Sequence, residues 1–272
     1  MKSVIVTVAI GDHCRRMWDE TFAPSVYDYA DRHGYAVQCL TAPIDVGDKA
    51  KPASWQRLLL ASHPALLGFD RIIYLDTDIM CNPSAPGVAE LVPDGKIGAV
   101  TWQGSYNNDQ AWYDMFKMSW SRNVFKWIRD AKIESFSDLA VAGGYPAHED
   151  WLNSGVLVFQ PTPEIATLMA DVYYNEPHTE RSANEQQALT HYLCNKRPDL
   201  LHPLDKRFNA IWYFEREIHY PFLENLYLNS FIASKCVEAS LTHNYFLHFA
   251  ADGERLEAVN FMLHQHLLTE AA

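Results

Sequence analysis

Two aspartates one residue apart, Asp76 and Asp78, close an apolar run in the stretch RIIYLDTDIMCNP, residues 71–83. Ending a buried strand on two carboxylates gains nothing in core packing, because burying an unpaired charge is costly. In an extended strand, residues i and i+2 point to the same side, so Asp76 and Asp78 are expected to converge while Thr77 faces away. Two carboxylates held that close repel unless positive charge lies between them. A hard divalent cation that prefers oxygen ligands, Mn²⁺ or Mg²⁺, is the natural guest. A bare Asp-x-Asp arises by chance on the order of once in a chain of this length, usually in a polar loop. Here it terminates RIIYL, and the carboxyl end of a strand is where ligands settle in open parallel sheets.

Other residues could serve chemistry nearby, and each also has a plain structural reading. Arg57 in SWQRLLL reads as an exposed helix cation, and His248 in LHFAADG as a hydrogen-bonded core histidine. Glu185 and Gln186 in NEQQAL read as an exposed helix start. Asn153 opens an Asn-Ser-Gly step inside the apolar run WLNSGVLVFQP. Buried polar groups there need partners or the close approach of another group.

The elements that must position these residues follow from patterning. SVIVTVAI (3–10) is β-branched and nearly all apolar, as suits a central strand covered on both faces. A helical pattern from Cys14 stops at Gly34, and YAVQCL (35–40) then reads as a second strand. This β-α-β order implies a parallel sheet with a right-handed crossover. Residues 51–69 read as helix after Pro52, with Trp55, Leu58 and Leu59 on one side; RIIYLDTDI, GKIGAVTW and WLNSGVLVFQP read as strands. EIATLMADVYYN and SANEQQALTHYLCN read as helices, NYFLHFA as a late strand, and ERLEAVNFMLHQHLL as a terminal amphipathic helix. Between 103 and 150, Trp112, Tyr113, Phe116, Trp120, Phe125 and Trp127 recur at roughly helical intervals. They suit amphipathic helices packed on the sheet or an acceptor platform on which sugars stack, and periodicity does not choose between these.

The totals bound the function. The 272 residues carry a net charge of −12 with no like-charge block, which argues against a broad nucleic-acid face. Five scattered cysteines, odd in number and without a C-x-x-C pair, point to reduced thiols in a cytoplasmic protein. No apolar run approaches a membrane span, and the N-terminus reads as a first strand rather than a signal peptide.

Taken in order over roughly residues 3 to 256, the blocks SWQRLLL, FDRIIYLDTDIMCNP, WLNSGVLVFQP, NEQQALTHYL, LDKRFNAIW and LHFAADGERL resemble the nucleotide-sugar glycosyltransferases of the GT-A fold. The nearest likeness is to family 8, the group that includes glycogenin and bacterial lipooligosaccharide galactosyltransferases. The resemblance implies an α/β, Rossmann-like GT-A fold with a mostly parallel central sheet flanked by helices. It implies a single domain over 1–272: a nucleotide-binding half (1–102), an aromatic-rich helical insertion (103–150), and an acceptor half with a C-terminal helix (151–272).

By the same resemblance, Asp76 and Asp78, with Thr77 between them, hold the metal and through it the diphosphate of a nucleotide sugar, by family default a UDP-sugar. His248 supplies the third metal ligand. Arg57 lies near the donor phosphates, Asn153 at the donor sugar, and Glu185 with Gln186 near the reacting sugar. The loop after the first strand, with Ala9, Gly11 and Asp12, cradles base and ribose. The family's His-x-x-Gly-x-x-Lys loop is stretched here, with Gly253 five residues past His248 and Arg255 as the nearest cation. The implied reaction moves a hexose to a glycan or lipid-linked glycan acceptor with retention. An inverting enzyme would instead need a carboxylate base, for which Asp150, Glu185 and Asp205 are candidates.

Three other readings compete. A haloacid-dehalogenase-like phosphatase would want Thr or Val where Met80 stands, and its motif near the N-terminus. A nucleotidyltransferase would want a Gly-rich basic loop where AIGDHCRR stands. A non-catalytic nucleotide- or glycan-binding protein on the same fold is opposed by the joint presence of Asp76, Asp78, Arg57 and His248.

Overall fold

SVIVTV forms β1 (Ser3–Val8), buried along its whole length. The structure, a computed structural model, describes residues 1–47, 50–106, 135–178, 184–223 and 230–250. After β1 come α1 (Asp12–Met17), a π-helical turn (Trp18–Phe22) and α2 (Ala23–His33). The sequence pattern predicts one helix here. Pro24, in the first turn of α2, lacks the N–H that an uninterrupted ladder needs, so the wider turn falls before it. α2 stops at Gly34, whose φ of 68° is left-handed, as expected.

β2 (Ala36–Leu40) follows, then α3 (Ala53–Gln56) and a 3₁₀ segment (Arg57–Ser62). The expected amphipathic helix over 51–69 is thus shortened and tightened, and every residue from Trp55 to Ala61 is buried rather than one face. The predicted strand RIIYLDTDI divides into β3 (Arg71–Leu75) and β4 (Ile79–Cys81), with 76–78 between them. β5 (Ile97–Thr101) leads into α4 (Trp102–Tyr106), and α5 (Phe136–Ala142) precedes β6 (Leu152–Phe159). The six aromatic residues from Trp112 to Trp127, the terminal helical pattern, Gly253 and Arg255 all lie outside the described residues.

The rest of the chain adds α6 (Pro163–Asn175) and α7 (Asn184–Thr190), which runs into a π-helical turn (His191–Lys196). Four elements absent from the sequence reading follow: β7 (Leu201–Pro203), β8 (Ala210–Ile211), α8 (Trp212–His219) and α9 (Ser230–His243). β9 (Phe246–His248) is the expected late strand.

Two sheets result. The larger has the order β2-β1-β3-β6-β5-β7, in which β6 alone runs antiparallel to its neighbours. The smaller has the order β4-β9-β8. The large sheet is covered on both faces, as the unbroken apolar run of β1 demands. On one face Ile5, Ile73 and Val158 pack with Trp18, Phe22 and Tyr29, and with Phe246 and Phe249 beside the small sheet. On the other, Val4, Val6, Tyr74 and Leu157 pack with Trp55, Leu58, Ile165 and Met169. The small sheet is therefore clamped on the large one, and the chain crosses between them at 76–78.

Candidate functional site

That crossing is where the two carboxylates meet. Asp76 and Asp78 do not share an extended strand, so the alternation argument for their convergence fails. The backbone N–H of Asp76 still donates to Gly155 O on β6 (2.9 Å), after which the chain turns. Ile79 then pairs with His248 in the small sheet, and Phe249 N–H donates to Asp78 O (2.9 Å). The carboxylates converge because one closes the large sheet, the other opens the small one, and His248 stands between. His248 Nε2 lies 3.3 Å from Asp78 Oδ1 and 3.7 Å from Asp76 Oδ2. One ligand atom from each of the three residues falls within 4.8 Å of the other two.

Asp76 is held from behind. Arg57 forks onto it, with Nη2 2.8 Å from Oδ1 and Nη1 3.1 Å from Oδ2, and the Tyr74 hydroxyl donates to Oδ1. A carboxylate has about four acceptor positions, so this leaves Oδ2 with capacity on the side facing His248. Arg57 is itself fixed: Nε donates to Ser54 O (2.8 Å) and Nη1 to Ser154 O (3.0 Å), and the guanidinium covers the Tyr74 ring at 4.7 Å. Only 7% exposed, it is no surface cation. Burial alone would lower its pKa, but Asp76 and then Glu185 outweigh that and hold it above the ordinary value.

Glu185 is 1% exposed, which overturns its reading as an exposed helix residue. Its Oε1 accepts from the Ser154 hydroxyl (2.8 Å) and lies 3.3 Å from Arg57 Nε. Burial pushes this carboxyl up, and Arg57 offsets part of the effect. Gln186 Oε1 accepts from the Ser154 backbone N–H (3.1 Å). The pair thus braces Arg57 and β6 rather than standing at the surface.

His248 is 3% exposed. Its Nδ1 is 2.8 Å from Asn209 Oδ1, and Asn209 Nδ2 donates to Asn153 Oδ1 (2.8 Å). Burial would lower the His248 pKa, but Asp78 and then Asp76 raise it above the ordinary histidine value. The reciprocal effect, against burial, holds Asp78 below the usual carboxylate range. Each group thus favours the charged form of the other across a 3.3 Å contact.

The donor set fits a divalent cation. Two carboxylate oxygens and one imidazole nitrogen converge on one place, with Asp76 oriented by Arg57 and the far nitrogen of His248 hydrogen-bonded. The carboxylate oxygens suit hard ions such as Mn²⁺ and Mg²⁺, and the imidazole nitrogen is a ligand that first-row transition ions also accept.

Of the residues singled out in the sequence, the structure joins Arg57, Asp76, Asp78, Asn153, Glu185, Gln186 and His248 in one network through Ser154 and Asn209. Thr77 occupies the turn, half-buried. Ala9, Gly11 and Asp12 stand at the same sheet edge, where β1 ends beside β3. Asp150 Oδ1 accepts from the Gln103 and Trp151 backbone N–H groups, and Asp205 caps the 206–209 turn with Arg207. Sequence reading missed Tyr74, the role of Ser154, and Asn209. The available signals were a tyrosine two residues before Asp76, hence on its side of the strand, and an asparagine amid the apolar residues of RFNAIW.

Compared with known proteins, the chain matches no sequence-family description and no curated protein by sequence. Solved structures do match. One is a glycosyltransferase involved in glycosylation of the major capsid of PBCV-1, with TM-score 0.52, 14% identity, and 96% of this chain and 99% of that one covered. Another is the bifunctional glycosyltransferase WbbM in its apo form, with TM-score 0.51 and 11% identity over 95% of this chain. This chain spans about half of that protein, 49% of its length. At these identities the likeness is one of fold: the chain has the GT-A fold of these enzymes.

Proposed function

We propose that this chain is a metal-dependent glycosyltransferase, moving a hexose from a nucleotide diphosphate sugar, by preference UDP-linked, to a hydroxyl of a glycan or lipid-linked glycan. The observation that carries this reading is the convergence of Asp76, Asp78 and His248 at the ligand-binding edge of a GT-A sheet, with a buried arginine behind them. In this reading residues 1–102 form the nucleotide-binding half, 103–150 and 151–272 shape the acceptor side, and Ala9, Gly11 and Asp12 border the base and ribose. Arg255 is assigned to the diphosphate.

Asp76, Asp78 and His248 would hold Mn²⁺ or Mg²⁺. When bound, such an ion supplies Lewis acidity toward the departing diphosphate. Arg57 orients Asp76, and adds a fixed positive charge beneath the site where negative charge grows on the leaving oxygen. Its Nε and Nη1 bond to protein and its Nη2 faces Asp76, so it acts chiefly through orientation and field. Asn153 Oδ1 is occupied by protein donors, which leaves its Nδ2 to reach the donor sugar. Glu185 is enclosed behind Arg57, which disfavours it as the base that an inverting transfer would need at the acceptor hydroxyl; retention rests on the family resemblance.

The test is a panel of nucleotide sugars with and without Mn²⁺, read as release of nucleoside diphosphate and, with acceptor, as the anomer formed. UDP release should need the metal and fall more than about a hundredfold in Asp78→Ala, the equivalent of roughly 3 kcal/mol of lost preference for the transition state. Turnover that survives both chelation and this substitution would overturn the assignment. Nucleotide binding without turnover would favour a non-catalytic binder.

A further inference from the structure

The hydrogen bonds behind His248 can be read in only one direction. Gly155 N–H, a backbone donor that cannot be reversed, points at the Asn153 side chain at 2.9 Å, so the receiving atom is oxygen. The Asn209 atom 2.8 Å from that same oxygen must then be the amide nitrogen. This leaves Asn209 Oδ1 facing His248 Nδ1 at 2.8 Å, and Nδ1 must carry the proton. Turning either amide over, or leaving Nδ1 without its proton, sets two donors or two acceptors against each other where Asn209 is 1% and His248 3% exposed, while Nε2, 3.3 Å from Asp78 Oδ1, is left to a second proton or to a cation.

We infer that Asn209 is a positioning residue: relayed from the Gly155 amide through Asn153, it locks a proton on His248 Nδ1 and so reserves Nε2, turned toward Asp76 and Asp78, for an exchangeable proton or a cation. Gly155 completes the seat. A Cβ there would lie 2.4 Å from His248 Cε1 and 2.8 Å from Nδ1, so only glycine lets the ring sit against β6. The Asn-Ser-Gly step thus serves both sides of the cluster, Ser154 bracing Arg57 behind Asp76, and Asn153 with Gly155 bracing His248. The importance of this lock for metal capture rests on the metal-dependent reading above; the tautomer does not.

The full chain with ¹⁵N-labelled histidine, metal-free and at a pH above the titration of His248, shows the tautomer directly in long-range ¹H–¹⁵N spectra, with His248→Gln assigning the signal. Wild type should show Nδ1–H. Asn209→Ala should lose the preference and weaken Mn²⁺ binding by about 10–100-fold, the usual effect of removing a partner behind a metal-bound histidine. Asn209→Asp keeps an acceptor at Nδ1 but opposes a carboxylate oxygen to Asn153 Oδ1, so it should retain the proton on Nδ1 and recover part of that affinity over Asn209→Ala, which a purely structural role would not predict for a new buried charge. Gly155→Ala should weaken Mn²⁺ binding by displacing the ring. Wild-type His248 found as Nε2–H, or Asn209→Ala binding Mn²⁺ as tightly as wild type, would overturn the inference. If Asn209→Ala does not fold, the wild-type spectrum and Asn209→Asp decide. Wild type that shows Nδ1–H yet fails to bind Mn²⁺ would sink the metal reading and leave the lock standing.

Discussion

Asp76 and Asp78 are two residues apart and differ in what neutralises them. Asp76 leans on Arg57, a permanent cation, whereas Asp78 leans on His248, whose charge depends on pH. His248 is raised above its ordinary value by Asp78 and Asp76 against the pull of burial, so the metal-free pair keeps its proton further up the pH scale than a free histidine would. That raised value stabilises the metal-free fold below the ordinary histidine range, and the contribution is lost as pH rises through the folded value. Metal binding has the opposite sign, because the ion needs the Nε2 lone pair and must displace the proton. Mn²⁺ affinity should therefore climb as pH rises through and above the usual histidine titration and then level off, as a titration followed by the electron spin resonance of free Mn²⁺ would show. An affinity unchanged from about pH 6 to 9 would contradict this assignment of the third ligand.

At the scale of elements, the site depends on where strands stop. β3 ends at Leu75 and β4 begins at Ile79, and the two belong to different sheets. The β5–β6 register also shifts between Gly98 and Val100, opposite the Asn-Ser-Gly step, an irregularity of the kind that re-aims side chains near functional sites. Ends elsewhere are simpler. α2 closes at Gly34 with Tyr35 N–H donating to Ala30 O (2.9 Å), and a Cβ at Gly34 would meet nothing within 4 Å. The cost of Gly34→Ala is thus confined to a backbone at φ 68°. Denaturant unfolding should show a loss of about 1–2 kcal/mol with Mn²⁺ affinity unchanged. A loss of metal affinity would mean that this cap is coupled to the site in a way the packing does not show.

At the scale of the whole molecule, the proposed ligands span the chain from 76 to 248 and join the turn between the sheets to the central strand of the smaller one. An ion bound there ties the two sheets together and binds only the folded chain. At about a hundred times its dissociation constant it adds about 2.7 kcal/mol, which for a chain of this size raises Tm by about 5–10 °C. A thermal scan should show this shift for wild type and not for Asp78→Ala. An equal shift in both would place the stabilising metal elsewhere. Among the described residues, no helix is long and apolar enough to cross a membrane.

The sequence by itself determined what local patterning encodes. The two-sided burial of β1, the stop at Gly34, the strand at 152–159 and the oddity of two carboxylates after RIIYL are all legible within a few residues. It also exposed most of the candidate cluster, because charged and amide side chains stand out against apolar runs. The tertiary structure decided the rest. The convergence of Asp76 and Asp78 came from a crossing between sheets, not from strand alternation. Arg57 and Glu185 became buried supports instead of surface charges, and Asn209 entered the cluster from a short 3₁₀ turn with no periodicity of its own. The physical reason is common to all three. Backbone patterning is a property of neighbours in the chain, whereas the partner that satisfies a buried charge or amide is supplied by whichever strand packs against it.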